Sequence, residues 1–173
     1  MTSVSIRPAT PNDATILAAL SIEVWLGTYL KQAINDAFAQ YVLSDFTPER
    51  FAGTIQRGQS RLVVAEVEDG IAGFAQISGD RPAPNGISCD TEVEKLYVRP
   101  AMHRKGIGRI LLSKALETCT SPVWLATNSN NTPAIRFYLM QGFIEVGETA
   151  FRLGDQAYPN TVFLRDPRAA NAV

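Results

Sequence analysis

Apolar residues recur at three- and four-residue spacing from Ala14 to Leu30, in ATILAALSIEVWLGTYL, and predict an amphipathic helix that follows a short strand, VSIRPA, and a cap at Pro11-Asn12-Asp13. A second helical pattern covers roughly Ala33 to Gln59. It breaks near Asp45 to Pro48, where Thr47 and Pro48 read as an N-cap and a first-turn proline. The period then changes to that of strands. RLVVAEVEDGIAGFAQISG reads as a hairpin around Asp69-Gly70, a dipeptide suited to the positive φ angles of a tight turn.

DRPAPNGISCD is loop, rich in Pro, Gly and Asn, and leads into the strand TEVEKLYVRP. A helix follows from the glycines at 106 and 108 to about Cys119, with an apolar stripe expected at Ile107, Ile110, Leu111 and Leu116. VWLATN is a strand, Pro133 to Gln141 a helix stopped by Gly142, and FIEVGE and TVFLRD are closing strands. PRAANAV reads as a loose tail over 167–173. Strands before and after central helices give a mixed α/β (α+β) sheet, and 173 residues suit a single domain, placed at 1–166.

Composition changes this picture by exclusion. With a formal net charge of −1 and the two signs well mixed, no global field recruits nucleic acid or an anionic membrane, so any anion site is local. The two cysteines, Cys89 and Cys119, form no CxxC pair and no disulfide framework. No apolar run approaches the roughly 20 residues of a membrane span, and the first residues lack the pattern of a signal peptide, so a soluble cytoplasmic protein is expected. No His/Asp/Glu spacing suggests a metal.

The local anion site is legible at HRKGIGR, residues 103 to 109. A helix start presents unpaired N–H groups and partial positive charge, and glycine keeps side chains out of a phosphate's way. Arg104, Lys105 and Arg109 add cations to Gly106, Ile107 and Gly108, and the stretch reads as a pyrophosphate cradle. An ordinary strand-to-helix turn uses the same residues. It is neither a P-loop, which wants Lys-Ser/Thr after its last glycine, nor a dinucleotide fingerprint, which wants glycine where Leu111 stands.

The order of the pieces around it, EKLYVRPAMHRKGIGRILLSKALE followed by WLATNSNNTPAIRFYLMQGF, resembles the GCN5-related N-acetyltransferases (GNAT). Both family motifs are present: Gln/Arg-x-x-Gly-x-Gly/Ala, with His103 in the first position, and Asn-x-x-Ala-x-x-x-Tyr-x-x-x-Gly-Phe at Asn131, Ala134, Tyr138, Gly142 and Phe143. WLGTY, the YV strand end and FRLGDQAYPNTVFL are more narrowly similar to polyamine acetyltransferases of the PaiA type. The resemblance implies a twisted, mostly antiparallel sheet of six to seven strands flanked by about four helices. It also implies acetyl-CoA as cofactor, released as CoA, and an amine as acceptor.

Several roles follow from that resemblance. The diphosphate would lie on the 103–109 turn, with His103 making a weaker or differently arranged contact than Gln or Arg. The pantetheine arm would run along the backbone of Leu96, Tyr97 and Val98, with the N–H near Val98 polarising the thioester carbonyl. Tyr138 would give a proton or hydrogen bond to the departing thiolate, and Asn131 would touch CoA. Read without the motif, Tyr138 is a core aromatic and Asn131 a helix N-cap.

A primary alkylamine is almost wholly protonated near neutrality, so transfer needs a carboxylate that attracts the ammonium and takes its proton. Glu92 and Glu94, two apart on one strand, share a face and are the candidates, Glu94 ranked ahead; a solvated strand face is the bland alternative. Trp25, Tyr29 and Tyr41, with the loop from Asp80 to Asp90, are expected to form the acceptor cleft, and Tyr97 either walls it or packs inward. A polyamine or other small cationic amine is the first acceptor class and a protein N-terminus or lysine the second. A non-catalytic acetyl-CoA sensor is the competing class. Enzymes of this type often pair, which leaves a homodimer open.

Overall fold

In the computed structural model, residues 3–30, 33–68 and 70–167 are described. Asp69 of the expected hairpin and residues 168–173 of the expected tail lie outside them. The elements follow the order of the sequence pattern: β1 (Ser5–Pro8), α1 (Ala14–Tyr29), α2 (Asp36–Asp45), α3 (Pro48–Arg57), β2 (Ser60–Val67), β3 (Gly70–Ser78), β4 (Glu92–Val98), α4 (Ile107–Leu116), β5 (Val123–Asn128), α5 (Thr132–Met140), β6 (Ile144–Leu153) and β7 (Gln156–Arg165). The interrupted helical region resolves into α2 and α3. Thr47 accepts the Arg50 N–H at 3.3 Å and so starts α3, and Gly58, at φ 65°, ends it.

The strands form a seven-stranded mixed sheet in the order β1-β2-β3-β4-β5-β7-β6. β1/β2, β5/β7 and β6/β7 are antiparallel, while β4 pairs with β5 in parallel at Glu92 opposite Trp124. The chain divides into two compact units, one from 1–77 with 95–117 and the other from 78–94 with 118–173, and β4 contributes to both.

In the first unit, β2 and β3 are buried over long continuous runs, as strands covered on both faces must be. Gly73 has a specific cause: a Cβ there would lie 2.6 Å from the Tyr97 carbonyl oxygen of β4, so only glycine permits the approach. α4 turns Ile107, Leu111, Leu112, Ala115 and Leu116 inward. Ile110, expected in that stripe, is 42 % exposed instead. The helix phase places Leu112 and Ala115 where the stripe needed them.

The entry to α1 rests on one buried carboxylate. Arg7 donates to both oxygens of Asp13, at 2.8 and 2.9 Å, and also to Glu66 on β2, while the Thr10 N–H reaches Asp13 at 2.7 Å. The Arg7 hydrogen bonds outweigh the desolvation cost and, with Thr10, lower the Asp13 pKa to about 2. A carboxylate depressed in this way stabilises the fold above its ordinary value and loses that contribution as pH falls through the folded one. Asp13→Asn should therefore cost about 2 kcal/mol at pH 7. In urea titrations the variant's stability should also change less between about pH 4 and pH 2 than the parent's.

In the second unit, Trp124 and Val162 pack with Ala83, Ile87 and Cys89 of the loop that precedes β4. The Trp124 indole donates to the Arg81 carbonyl at 2.7 Å and holds that loop down. No helix among the described residues is long and apolar enough to cross a membrane.

Candidate active site

The turn before α4 is built to expose amides. A 3₁₀ turn, Pro100–Met102, ends β4, after which Arg104 at φ 62° and Gly106 at φ 78° adopt left-handed conformations. Left-handed residues within a tight turn aim successive N–H groups into one concavity, the geometry that binds anions. Arg104 bears a cost of roughly 1–2 kcal/mol for that conformation. No side chain caps α4, and the first N–H seen paired back into the helix is that of Ile110, on the Gly106 carbonyl at 3.1 Å. A Cβ built on Gly106 would meet nothing within 4 Å, so the space beside these amides is open. Arg104, Lys105 and Arg109 are exposed around it, while Ile107 anchors the helix at 1 % exposure.

His103 is turned elsewhere. Its Nε2 donates to the Val98 carbonyl at 2.8 Å, which ties the turn to the end of β4. The expected His103 contact to a diphosphate is therefore replaced, in this structure, by a bond within the chain. The preceding backbone is fixed too: the Arg99 N–H bonds the Ala72 carbonyl at 2.9 Å, and the Arg99 guanidinium pairs with Glu23 of α1 at 2.8 Å. Of the β4 residues expected along a pantetheine arm, Leu96, Tyr97 and Val98 are all half-buried. Tyr97 packs edge-on against Phe74, with ring centroids 5.6 Å apart.

The second unit carries the candidate acid and base groups. Tyr138 lies on α5, 9 % exposed, with its ring against Phe137, Phe143 and Phe163. Its hydroxyl makes no hydrogen bond among the described residues. Burial alone pushes the phenol's pKa above its ordinary value, so the group stays protonated, and a donor, through the neutral range. Asn131 opens α5 as its N-cap, accepting the Ala134 N–H at 3.3 Å.

Glu92 and Glu94 share one face of β4, as the strand period requires, and a guanidinium lies on them. Arg81 contacts Glu94 at 2.6 Å and Glu92 at 3.8 Å, and the Glu94 side chain is only 10 % exposed. The hydrogen bond to Glu94 is the main reason the Arg81 pKa is raised. Sequence reasoning passed over Arg81. It is the lone cation of the 79–91 loop, and that is the signal available; its pairing depends on how the loop returns over the strand.

The fold is that of a known group. Residues 28–143 match the Acetyltransferase (GNAT) family, which is more than half of the chain. The chain belongs to the GNAT acetyltransferase family. An uncharacterised N-acetyltransferase of Lactobacillus delbrueckii subsp. lactis is 26 % identical over 164 residues, covering 90 % of this chain and 92 % of the relative. The crystal structure of PaiA N-acetyltransferase from Thermoplasma acidophilum in complex with coenzyme A has a TM-score of 0.75 at 19 % identity. That match covers 95 % of this chain and 99 % of the other. A Salmonella typhimurium acetyltransferase solved with its cofactor acetyl-CoA has a TM-score of 0.67 at 20 % identity, covering 94 % and 93 %.

For this GNAT acetyltransferase the expected acceptor-side aromatics are partly core. Trp25 is 4 % exposed, stacked on Tyr29 at 4.8 Å and surrounded by Tyr41, Phe38 and Phe46. The half-buried Tyr29 and Tyr41 carry the accessible side of that cluster, and the Tyr41 hydroxyl donates to Asp45 at 3.3 Å. Among the described residues no group of three or more His, Cys, Asp or Glu is arranged to hold a metal.

Proposed function

We propose that this enzyme transfers an acetyl group from acetyl-CoA to a primary amine by direct attack in a ternary complex, with residues 1–166 acting as one domain. The acceptor is a polyamine or other small cationic amine. The observation that carries the reading is the turn at 104–109, with uncapped amides, two left-handed residues and clear space at Gly106. Those features fit a diphosphate.

Bound acetyl-CoA supplies an activated acyl group. The chain's own residues do the rest. The amides from Gly106 to Arg109, with Arg104 and Lys105, hold the diphosphate charge, and the backbone at Leu96, Tyr97 and Val98 aligns the arm. Glu94, with Glu92 beside it, draws the ammonium and accepts its proton directly or through water, while Arg81 fixes the Glu94 rotamer. Tyr138 donates to the leaving sulfur, a role supported by its unpaired hydroxyl and raised pKa.

The acceptor class is supported by the likeness to the PaiA enzyme and by the carboxylates on β4. Free-thiol release is expected with polyamines ahead of amino acids, aminoglycosides and peptides. Calorimetry should find acetyl-CoA bound more tightly than ATP or NAD. Tighter ATP binding would end the acetyltransferase reading, whereas acetyl-CoA binding with silence across the amine panel would favour a sensor.

A further inference from the structure

The loop before β4 is held by its backbone. The Arg81 N–H donates to the Asp90 carbonyl at 2.8 Å, and the Arg81 carbonyl accepts the Trp124 indole at 2.7 Å, so both main-chain groups of this residue are fixed. Further along, the Ala83 N–H bonds the Cys89 carbonyl at 2.7 Å and the Asn85 side-chain amide donates to the Glu148 carbonyl at 2.9 Å. Ala83, Ile87 and Cys89 are seated on Trp124 and Val162. Asp80, just before Arg81, is kept at φ 54°, a left-handed conformation that persists in a non-glycine residue only where its surroundings impose it. Lifting the loop would break all of these contacts together. Swinging the Arg81 side chain would break none of them.

That side chain covers the carboxylates and is itself at the surface. The Arg81 Nε and Nη2 lie 2.7 and 2.6 Å from one oxygen, the Oε1 of Glu94, and Glu92 is 3.8 Å away. The Arg81 side chain is 55 % exposed, against 10 % for Glu94 and 21 % for Glu92. A cation reaching Glu94 from solvent on this flank meets the guanidinium first. Two cations on one carboxylate oxygen repel each other, so the incoming one takes the place only as the other leaves it.

We infer that Arg81 is a gating residue whose guanidinium occupies, in the free enzyme, the place that the acceptor's ammonium takes on Glu94. This rests on the proposed reading of Glu94 as the group that draws the ammonium, and it adds how the acceptor arrives: by exchange of one cation for another. The exchange needs no cavity beneath the loop, because the volume vacated is that of an exposed side chain. It also selects by charge. A cationic acceptor replaces the contacts that the guanidinium gives up, whereas an amine that is neutral in solution brings no charge and leaves the pair closed.

The test compares the full-length protein with Arg81→Gln, which keeps an N–H donor towards Glu94 and removes the charge, and with Arg81→Lys, which keeps a cation there. KM for spermidine and 1,4-diaminobutane is expected to fall roughly three- to tenfold in Arg81→Gln, the range for removing a competing contact of a charged pair. Arg81→Lys should bring it back towards the parent's value. Calorimetric Kd values for spermidine on the CoA-bound proteins should move in the same direction, independently of turnover. KM for 2,2,2-trifluoroethylamine, whose fluorines keep it largely uncharged near neutrality, should hardly move. The fall should persist at about 0.5 M NaCl, where a Debye length of about 4 Å removes long-range attraction and spares a direct contact. Unchanged or raised spermidine KM in Arg81→Gln, an equal fall for trifluoroethylamine, or a fall that vanishes in salt would overturn the inference. Arg81 serving only to hold the Glu94 rotamer would lower kcat with no gain in affinity. Turnover and affinity indifferent to residue 81 defeat this inference alone, whereas absence of turnover with every amine defeats the enzyme reading as well.

Discussion

Tyr138→Phe is expected to lower kcat by roughly 10²–10⁴, the range for loss of a positioned general acid, while the acetyl-CoA Kd stays within about twofold. The geometry makes this substitution unusually clean. The Tyr138 ring already packs against three phenylalanines, which phenylalanine reproduces, and its hydroxyl has no protein partner among the described residues to lose. Folding stability at pH 7 should therefore be unchanged or slightly improved, so a fall in turnover cannot be attributed to a damaged core. Pre-steady-state acetyl transfer, compared with an equilibrium titration of acetyl-CoA, separates the two quantities. Undiminished transfer would remove Tyr138 from the chemistry.

The same burial fixes a pH signature. Desolvation holds the folded phenol neutral above the ordinary value of 10.0, whereas the unfolded chain's phenol ionises near it. The folded state then binds more protons, and stability declines as pH rises past about 10. Tyr138→Phe should flatten part of that decline, and Tyr41, also raised mainly by burial, should account for another part. Turnover between pH 7 and 9 should not report Tyr138 ionisation.

What the sequence made legible was mostly local. Proline and glycine punctuation located the breaks: Thr47-Pro48 starts α3, and Gly142, at φ 80°, ends the region of α5. The period of two put Glu92 and Glu94 on one face, and the motif spacing fixed Asn131 and Tyr138 on one helix. Ile110 shows the limit of periodicity, since both Ile110 and Leu111 fit a stripe on paper and only the packing of α4 against β1 and β2 selects the inward one. Arg81 was out of reach for another reason. Arg81 meets Glu94 at a separation of 13 positions, through a loop that returns over β4. That separation leaves no trace in local pattern. The need for glycine at position 73 comes likewise from the Tyr97 carbonyl on the neighbouring strand, a contact that local pattern does not show.

The second large effect is expected at Gly106, where backbone freedom and open space coincide. Gly106→Ala forces a side chain into a left-handed conformation, at roughly 1–2 kcal/mol, and sets a methyl group in the volume that a diphosphate oxygen would fill. Gly58 supplies the control. It has φ 65° against 78° at Gly106, and its Cβ direction is likewise clear to 4 Å, but it ends α3 instead of opening α4. Gly58→Ala and Gly106→Ala should thus lose similar stability in thermal melts. Only Gly106→Ala should weaken acetyl-CoA binding, by about tenfold or more, since one or two amide-to-phosphate hydrogen bonds at a charged acceptor are at stake. The weakening should also appear with 3′-phosphoadenosine diphosphate fragments, which carry the diphosphate without the thioester arm. Equal acetyl-CoA affinity in the two variants would mean that the turn serves only to start a helix, and the cofactor assignment built on it would fall with it.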